Sequence, residues 1–251
     1  QLLYRVAAMP ARNLEYWANE NSKTGTLSWN QSTAIGGAFS LKGQVKQIDA
    51  IALSEKDLLR FGKKQVYRCQ ISLPSPNDTR RAILYTSLTP EQLPLDQPID
   101  AACGALAIFV GIDDATSNLL FVSNRLAWYP DTLLGDLKMD VGLLETIQNS
   151  KPLRGEEYEA FYQMLAAAGR TAAGELSRRA YNQLVHDAKQ LGDKQREIKA
   201  AGLPLSEDEL IEEAVLETRL DYMRKNASHP FVPLVEHPDR FNGELIMLRG
   251  T

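Results

Sequence analysis

The chain has 251 residues, of which 44% are hydrophobic and 24% charged, and its formal net charge is −4. This length is enough for one large or two ordinary domains with a substantial core. The negative charge disfavours a general nucleic-acid surface, which needs clustered positive charge, and no apolar run is long enough to span a membrane.

The first 35 residues have a mixed pattern and are predicted to form an N-terminal extension. From Gly36 the pattern becomes β, because apolar residues occupy alternate positions in two runs. Such alternation is typical of half-buried strands. A glycine on the inward set indicates a strand that bends sharply or lets another backbone come close. The inward sets are Phe39, Leu41, Gly43 and Val45 in the first run, and Tyr67, Cys69, Ile71 and Leu73 in the second.

Further strand-like runs follow at 82–85, 105–111 and 119–122, and the polar residues 113–118 have the composition of a hairpin loop. Five or six short strands without a helical pattern predict a small β-barrel or sandwich over 36–126. A closed barrel of the oligonucleotide/oligosaccharide-binding (OB) type is our first choice.

A helical connector is predicted over 127–228. In the run 156–168, apolar residues recur at i, i+3, i+4 and i+7, namely Tyr158, Phe161, Tyr162 and Leu165. The helical pattern continues over 171–191, and the charged stretch 192–199 is predicted to be a solvated helix or a mobile link. A last helix is expected over 207–225, with Ser206 as its N-cap. Its predicted buried side consists of Leu210, Ile211, Ala214, Val215 and Tyr222.

The C-terminal segment 229–251 is predicted to contain the start of a second, truncated barrel. The run Gly243–Gly250 matches Gly36–Gly43, because in both runs six residues separate two glycines and a Leu-basic pair precedes the second glycine. Since the chain starts at Gln1 and stops at Thr251 directly after this run, we expect both ends to be cut.

The fold class predicted by these patterns is therefore α+β: a small OB-like barrel, a helical segment and the first strand of a second barrel. The stretch from His229 to Gly250 is similar to the opening of bacterial barrels of the OB type. The order of barrel, Leu137–Leu144, Glu159–Ala167, charged helix and second barrel also resembles uncharacterised tandem OB-like barrel proteins of planctomycete bacteria. This resemblance covers most of the chain, but it rests on packing motifs and implies an architecture without catalytic residues.

The sequence contains few candidates for catalytic, phosphate-binding or metal-ligating residues. Phosphate-binding glycine loops and a nucleophile elbow are missing from the sequence. A metal site could be drawn from His229, His237 and Asp239, but each of these histidines precedes a proline, which favours turn geometry instead. We predict no catalytic, cofactor-binding or metal-ligating residues and no cofactor.

Two cysteines, Cys69 and Cys103, lie in apolar runs. Buried free thiols are the favoured interpretation, and a single disulfide, which would indicate an oxidising compartment, is the alternative. Without a CxxC motif or a Cys/His cluster, no structural zinc site is predicted.

Our leading hypothesis is a non-catalytic binding or assembly module, part of a larger envelope-associated protein or complex, rather than an enzyme. We expect protein partners or self-association, and a periplasmic or envelope location over a cytoplasmic one. The alternative is a single-stranded nucleic-acid-binding OB-fold protein, which the net charge disfavours. The candidate ligand or partner face is basic and consists of Lys42, Lys46, Lys63, Lys64 and Arg68.

Overall fold

A computed structural model describes residues 1–23, 34–74, 79–148, 151–155, 157–172, 174–200, 207–241 and 243–249. The chain divides into two compact units, Gln1–Thr146 and Ile147–Thr251. The first unit carries a six-stranded sheet and the second is helical, so the prediction of a mixed α+β protein is confirmed.

Unit 1, as we call Gln1–Thr146, contains all the strands assigned in the described residues. Its elements are α1 (Leu2–Ala7), α2 (Ala11–Lys23), β1 (Ala38–Ala52), α3 (Glu55–Phe61), β2 (Gln65–Pro74), β3 (Thr79–Leu88), β4 (Pro98–Ile112), β5 (Leu119–Arg125), β6 (Ala127–Trp128), α4 (Leu133–Asp136) and a 3-10 helix (Val141–Thr146).

The strand order is β1-β2-β3-β5-β4-β6, and β1 also pairs with β4. Strands β1, β2, β3 and β5 therefore each have two hydrogen-bonded neighbours, and β4 has three. All pairs are antiparallel except β3 with β5. Strand β1 pairs with β4 along one edge and with β2 along the other, and it changes register at a bulge between Val45 and Gln47. A bulge bends the strand that carries it.

The main core lies on the inward faces of these strands. Six of the eight predicted inward residues of β1 and β2 are buried there, and the other two, Gly43 and Tyr67, are half-buried, which confirms the alternation read from the sequence. The six buried residues are Phe39, Leu41, Val45, Cys69, Ile71 and Leu73. Three aromatic rings meet in this core, because Phe39 lies 6.4 Å from both Phe109 and Phe121, centroid to centroid.

A second core layer lies between the N-terminal helices and the outer face of the sheet. Val6 of α1 and Leu14 of α2 are buried against Ile108 of β4 and Val122 of β5. The N-terminal residues predicted as an extension therefore cover part of the sheet.

Unit 2, as we call Ile147–Thr251, consists of α5 (Tyr158–Gly169), α6 (Glu175–Ala200), α7 (Glu207–Asn226), α8 (Phe231–Glu236) and a 3-10 helix (Pro238–Phe241). These bounds agree with the predicted helices, and the charged stretch 192–199 is simply the continuation of α6. Helices α6 and α7 pack together, and Lys199 lies 3.3 Å from Glu213 between them. The predicted N-cap Ser206 lies outside the described residues.

The prediction of a strand after Gly243 is wrong for the described residues 243–249, which form neither strand nor helix. A strand needs a neighbour to pair with, and the hydrogen bonding of this segment to distant residues centres on His229. The His229 amide donates to the Met247 carbonyl at 2.8 Å. The preceding residues, expected to lead into a barrel, form α8 and the 3-10 helix instead.

Candidate functional site

A cleft of about 620 Å³ lies on unit 1 beside the bend of β1. Lys42, Gln44 and Lys46 contribute to it because they point outward from β1, alternating with the buried Leu41 and Val45. The other residues that line it come from β1, β2, β4 and the segment after β6: Gly43, Ser72, Pro74, Ala102, Cys103, Tyr129 and Lys138.

Two glycines allow the walls of this cleft to come close together. A Cβ on Gly43 would lie 2.3 Å from the carbonyl oxygen of Ser72, which no real contact tolerates. A Cβ on Gly104 would lie 2.9 Å from the ring of Tyr129. The sequence prediction that Gly43 lets another backbone approach is therefore confirmed.

The three lysines of the cleft differ in whether they form an ion pair with an acidic side chain. Lys46 Nζ lies 2.7 Å from Asp100, so its charge is compensated. Lys42 and Lys138 are exposed, and neither has an ion pair among the residues that the structure describes. The cleft therefore carries two uncompensated positive charges.

Lys138 and Tyr129 are held by backbone geometry that the sequence did not reveal. Lys138 has a φ of 59°, in the left-handed region that favours glycine. Tyr129 donates its amide N–H to the Ala102 carbonyl at 2.9 Å. Burial, together with the negative charge of Asp140, raises the pKa of the Tyr129 phenol, so its hydroxyl is neutral at pH 7.

The structure brings only part of the predicted basic face together. Lys42 and Lys46 line the cleft, whereas Lys63 and Lys64 lie between α3 and β2, and Arg68 pairs with Asp49 at 3.2 Å. None of these last three lines the cleft.

Both cysteines are free thiols buried in unit 1. Burial raises the pKa of Cys69 to about 12 and that of Cys103 to about 12. Neither is a thiolate at neutral pH, so neither is an activated nucleophile.

Unit 2 exposes apolar residues on α5 and on α7, and those of α7 form the side that was predicted to be buried. On α5 the row at i, i+3, i+4 and i+7 is exposed, with Tyr162 at 62% and Leu165 at 53%; we call Tyr158, Phe161, Tyr162 and Leu165 the aromatic row. On α7 the predicted buried side is wrong, because Leu216, Leu220 and Met223 are buried instead. The exposed residues are Leu210, Ile211, Ala214, Val215 and Tyr222.

His229 is buried in unit 2 and both of its ring nitrogens are bonded. Nδ1 accepts the Met247 amide N–H at 3.2 Å, which places the ring proton on Nε2, and Nε2 lies 3.1 Å from Asp187 Oδ2. Because both of its ring nitrogens make contacts, His229 holds the segment at Met247 and the helix that carries Asp187 together. His237, which was considered with it for a metal site, is exposed.

The described residues contain no group of His, Cys, Asp or Glu arranged to hold a metal ion. Among the helices described here, none is both long enough and apolar enough to cross a bilayer. Comparisons with protein-family models, with curated proteins and with solved structures find no match to this chain, so the resemblance to planctomycete tandem-barrel proteins stays a prediction.

Proposed function

We propose that the chain is a non-catalytic assembly module in which an OB-like β-barrel carries a helical unit that self-associates. The barrel is supported by the ring of pairings β1-β2-β3-β5-β4-β1, since five strands that each have two neighbours leave no free edge. A five-stranded barrel of this kind is the OB-fold architecture.

The observation that carries the assembly function is the aromatic row of α5. Isolated exposed apolar side chains are ordinary, but a contiguous row marks an interaction surface. Three of its four residues are aromatic, and Tyr is among the residue types that dominate binding energy at protein interfaces. Each such side chain that becomes buried contributes on the order of 1.5–3 kcal/mol.

A second copy of the chain is the partner that we propose for this row. Most soluble oligomers are symmetric, and a two-fold axis places the same surface on both sides. In an antiparallel pair of α5 helices centred on the row, Tyr158 of one helix would face Leu165 of the other, and Phe161 would face Tyr162. The row is therefore complementary to itself in an antiparallel pairing.

Light scattering coupled to gel filtration tests this proposal on the full chain. We expect a mass of twice 28.0 kDa, reduced to that of the monomer by Tyr162→Glu or Leu165→Glu. Leu59→Glu is the matched control, because Leu59 is 83% exposed on α3 of unit 1. Circular dichroism at 222 nm verifies that each variant is folded. A wild-type chain that is monomeric at every concentration would overturn the proposal.

Single-strand nucleic-acid binding is a second candidate, favoured by the polar outer side of β2. Arg68, Gln70 and Ser72 lie there half-buried, on a strand that OB-folds use for this purpose. However, Arg68 pairs with Asp49, and its cross-strand neighbour Tyr85 packs into the core layer under the N-terminal helices. Tyr85 is therefore not free to stack on a base, as such binding requires.

A fluorescence titration with a short labelled oligonucleotide distinguishes the two candidates. Electrostatic binding to nucleic acid appears at low salt and fades as salt rises. We expect no saturable binding at low salt. Binding that is lost on Arg68→Gln and retained by Tyr162→Glu would favour the second candidate.

A further inference from the structure

The cleft beside β1 has the size and lining of a small-molecule site. Its volume of about 620 Å³ lies within the range of 300–1,000 Å³ that is typical of ligand pockets. Pro74 and Ala102 supply apolar wall, while Ser72 and Tyr129 supply hydroxyl groups. A pocket with mostly apolar walls and a few polar groups binds an organic molecule in one orientation.

The charge of the cleft selects the class of ligand. Lys46 is compensated by Asp100, whereas Lys42 and Lys138 have no ion pair among the described residues, which leaves a charge of two positive units. A phosphate monoester carries about −1.5 to −2 at pH 7. Lysine ammonium groups bind phosphate well as point charges, whereas planar carboxylates are matched better by arginine. None of the described residues that line this cleft is an arginine.

The backbone conformation of Lys138 is a second observation that points to a role of its side chain in the cleft. The Lys138 amide donates to Gly135 O at 2.9 Å and the Met139 amide donates to Leu134 O at 3.0 Å. These two bonds define a Schellman turn after α4, in which Lys138 occupies the left-handed position that is usually glycine. Glycine would form this turn without steric cost, whereas the lysine at this position brings a cationic side chain to the cleft.

Tyr129 adds a fixed hydrogen-bonding group. Its ring lies against Gly104, its amide is bonded to Ala102, and its phenol keeps its proton because burial raises the pKa. A neutral hydroxyl at this place can donate to an oxygen of an anionic ligand.

We propose that this cleft binds a small phosphate ester, with Lys42 and Lys138 on the phosphate and Tyr129 donating to one of its oxygens. The organic part of the ligand then lies against Pro74 and Ala102. This site is on unit 1 and its occupation is measured by ligand binding. It can therefore fail or succeed independently of the self-association proposed for α5.

Calorimetric titration of the full chain in phosphate-free buffer tests the proposal with phenyl phosphate as the probe. We expect saturable 1:1 binding with a Kd on the order of 0.1 mM, and succinate, a dicarboxylate of similar charge, to bind at least about tenfold more weakly. Lys42→Gln and Lys138→Gln should each weaken binding about tenfold. Lys63→Gln is the matched control, because it removes the same charge outside the cleft, and its Kd should stay within about twofold of the wild type.

The variant Lys138→Gly distinguishes a loss of ligand binding from a loss of stability. Glycine relieves the left-handed strain, so this variant should melt at a higher temperature than the wild type by tryptophan fluorescence, while its affinity for phenyl phosphate falls as in Lys138→Gln.

The absence of saturable phenyl phosphate binding, an equal loss in Lys63→Gln, or intact binding in Lys138→Gly would each overturn the proposal. It would also be overturned if succinate bound as tightly as phenyl phosphate. An oligothymidylate that displaces phenyl phosphate with higher affinity, and loses that affinity in Lys42→Gln, would assign the cleft to nucleic acid instead.

Discussion

Asp140 and Arg125 form an ion pair near the C-terminal end of unit 1. Oδ2 of the carboxylate lies 2.9 Å from Nε of Arg125, at the end of β5, and the Asp140 side chain is only 4% exposed. Oδ1 of the same carboxylate accepts the amide N–H of Trp128 at 2.9 Å and that of Gly142 at 3.1 Å. One side chain therefore connects β5, β6 and the start of the 3-10 helix, and it fixes the segment that carries Tyr129 and Lys138.

Asp140→Ala is expected to lower the free energy of unfolding of unit 1 by about 3 kcal/mol, because it leaves two backbone donors and a largely buried cation without their acceptor. All three tryptophans of the chain, Trp17, Trp29 and Trp128, belong to unit 1. Urea unfolding followed by tryptophan fluorescence therefore reports on this unit. Asp136→Ala, at an exposed position of α4, is the control and should change the free energy by less than about 0.5 kcal/mol. A similar effect of both variants would contradict the role of Asp140.

The strands of unit 1 could be predicted from the sequence, and their neighbours could not. Alternation fixes which residues of β1 and β2 point inward, since the period of a strand is two. It carries no information on which strand lies beside which, so the individual pairings, such as the parallel one of β3 with β5, do not follow from it. Nor was Lys138, because a left-handed lysine has no signature in the local sequence.

Gly43→Ala tests the close approach of β1 and β2 that the sequence did indicate. The added Cβ would lie 2.3 Å from Ser72 O, so a strand must shift, and we expect a loss of about 3 kcal/mol in the free energy of unfolding by tryptophan fluorescence. Gly192→Ala is the control for the same chemical change. Gly192 lies inside α6 with open space around it, so alanine there should stabilise unit 2 by about 0.5–1 kcal/mol, as measured by circular dichroism at 222 nm during urea unfolding. Equal and small effects of both variants would show that β1 and β2 are not in contact at Gly43.

For unit 2 the sequence predicted where the helices lie but not which of their side chains are buried. The bounds of α5 and α7 agree with the sequence, since charged first turns and apolar periodicity mark where a helix begins and ends. The same periodicity shows that an apolar stripe exists, but it does not show that this chain buries it. The aromatic row of α5 and Ile211 and Val215 of α7 are exposed, and on α7 this exposed side is the one that was predicted to be buried.

His229→Ala is expected to destabilise unit 2 by about 2 kcal/mol, because it removes the acceptor for the Met247 amide and the ring N–H beside Asp187 Oδ2. The matched control is His237→Ala, at an exposed histidine that also precedes a proline, and it should be close to neutral. Unit 2 is helical, so circular dichroism at 222 nm during urea unfolding is the measurement. If both variants unfold at the same urea concentration as the wild type, His229 does not clamp the C-terminal segment.

Glu157, directly before α5, should make the stability of unit 2 depend on pH. Its carboxylate accepts the amide N–H groups of Gln148 at 2.7 Å and of Arg154 at 2.6 Å, and these bonds lower its pKa from the usual 4.5. Because the pKa is lower in the folded state than in the unfolded state, its contribution is complete above pH 4.5 and is lost as the pH falls through the folded-state value.

Glu157→Gln keeps one carbonyl oxygen and loses the charge, so it should be less stable than the wild type at pH 7. The difference in thermal midpoint at 222 nm should stay constant down to about pH 5 and then shrink below pH 4.5, as the wild-type carboxylate becomes protonated. Glu217→Gln, at an exposed position of α7, is the control and should differ little from the wild type at pH 7. A difference between Glu157→Gln and the wild type that stays the same from pH 7 to pH 2 would show that the charge of Glu157 contributes nothing to the start of α5.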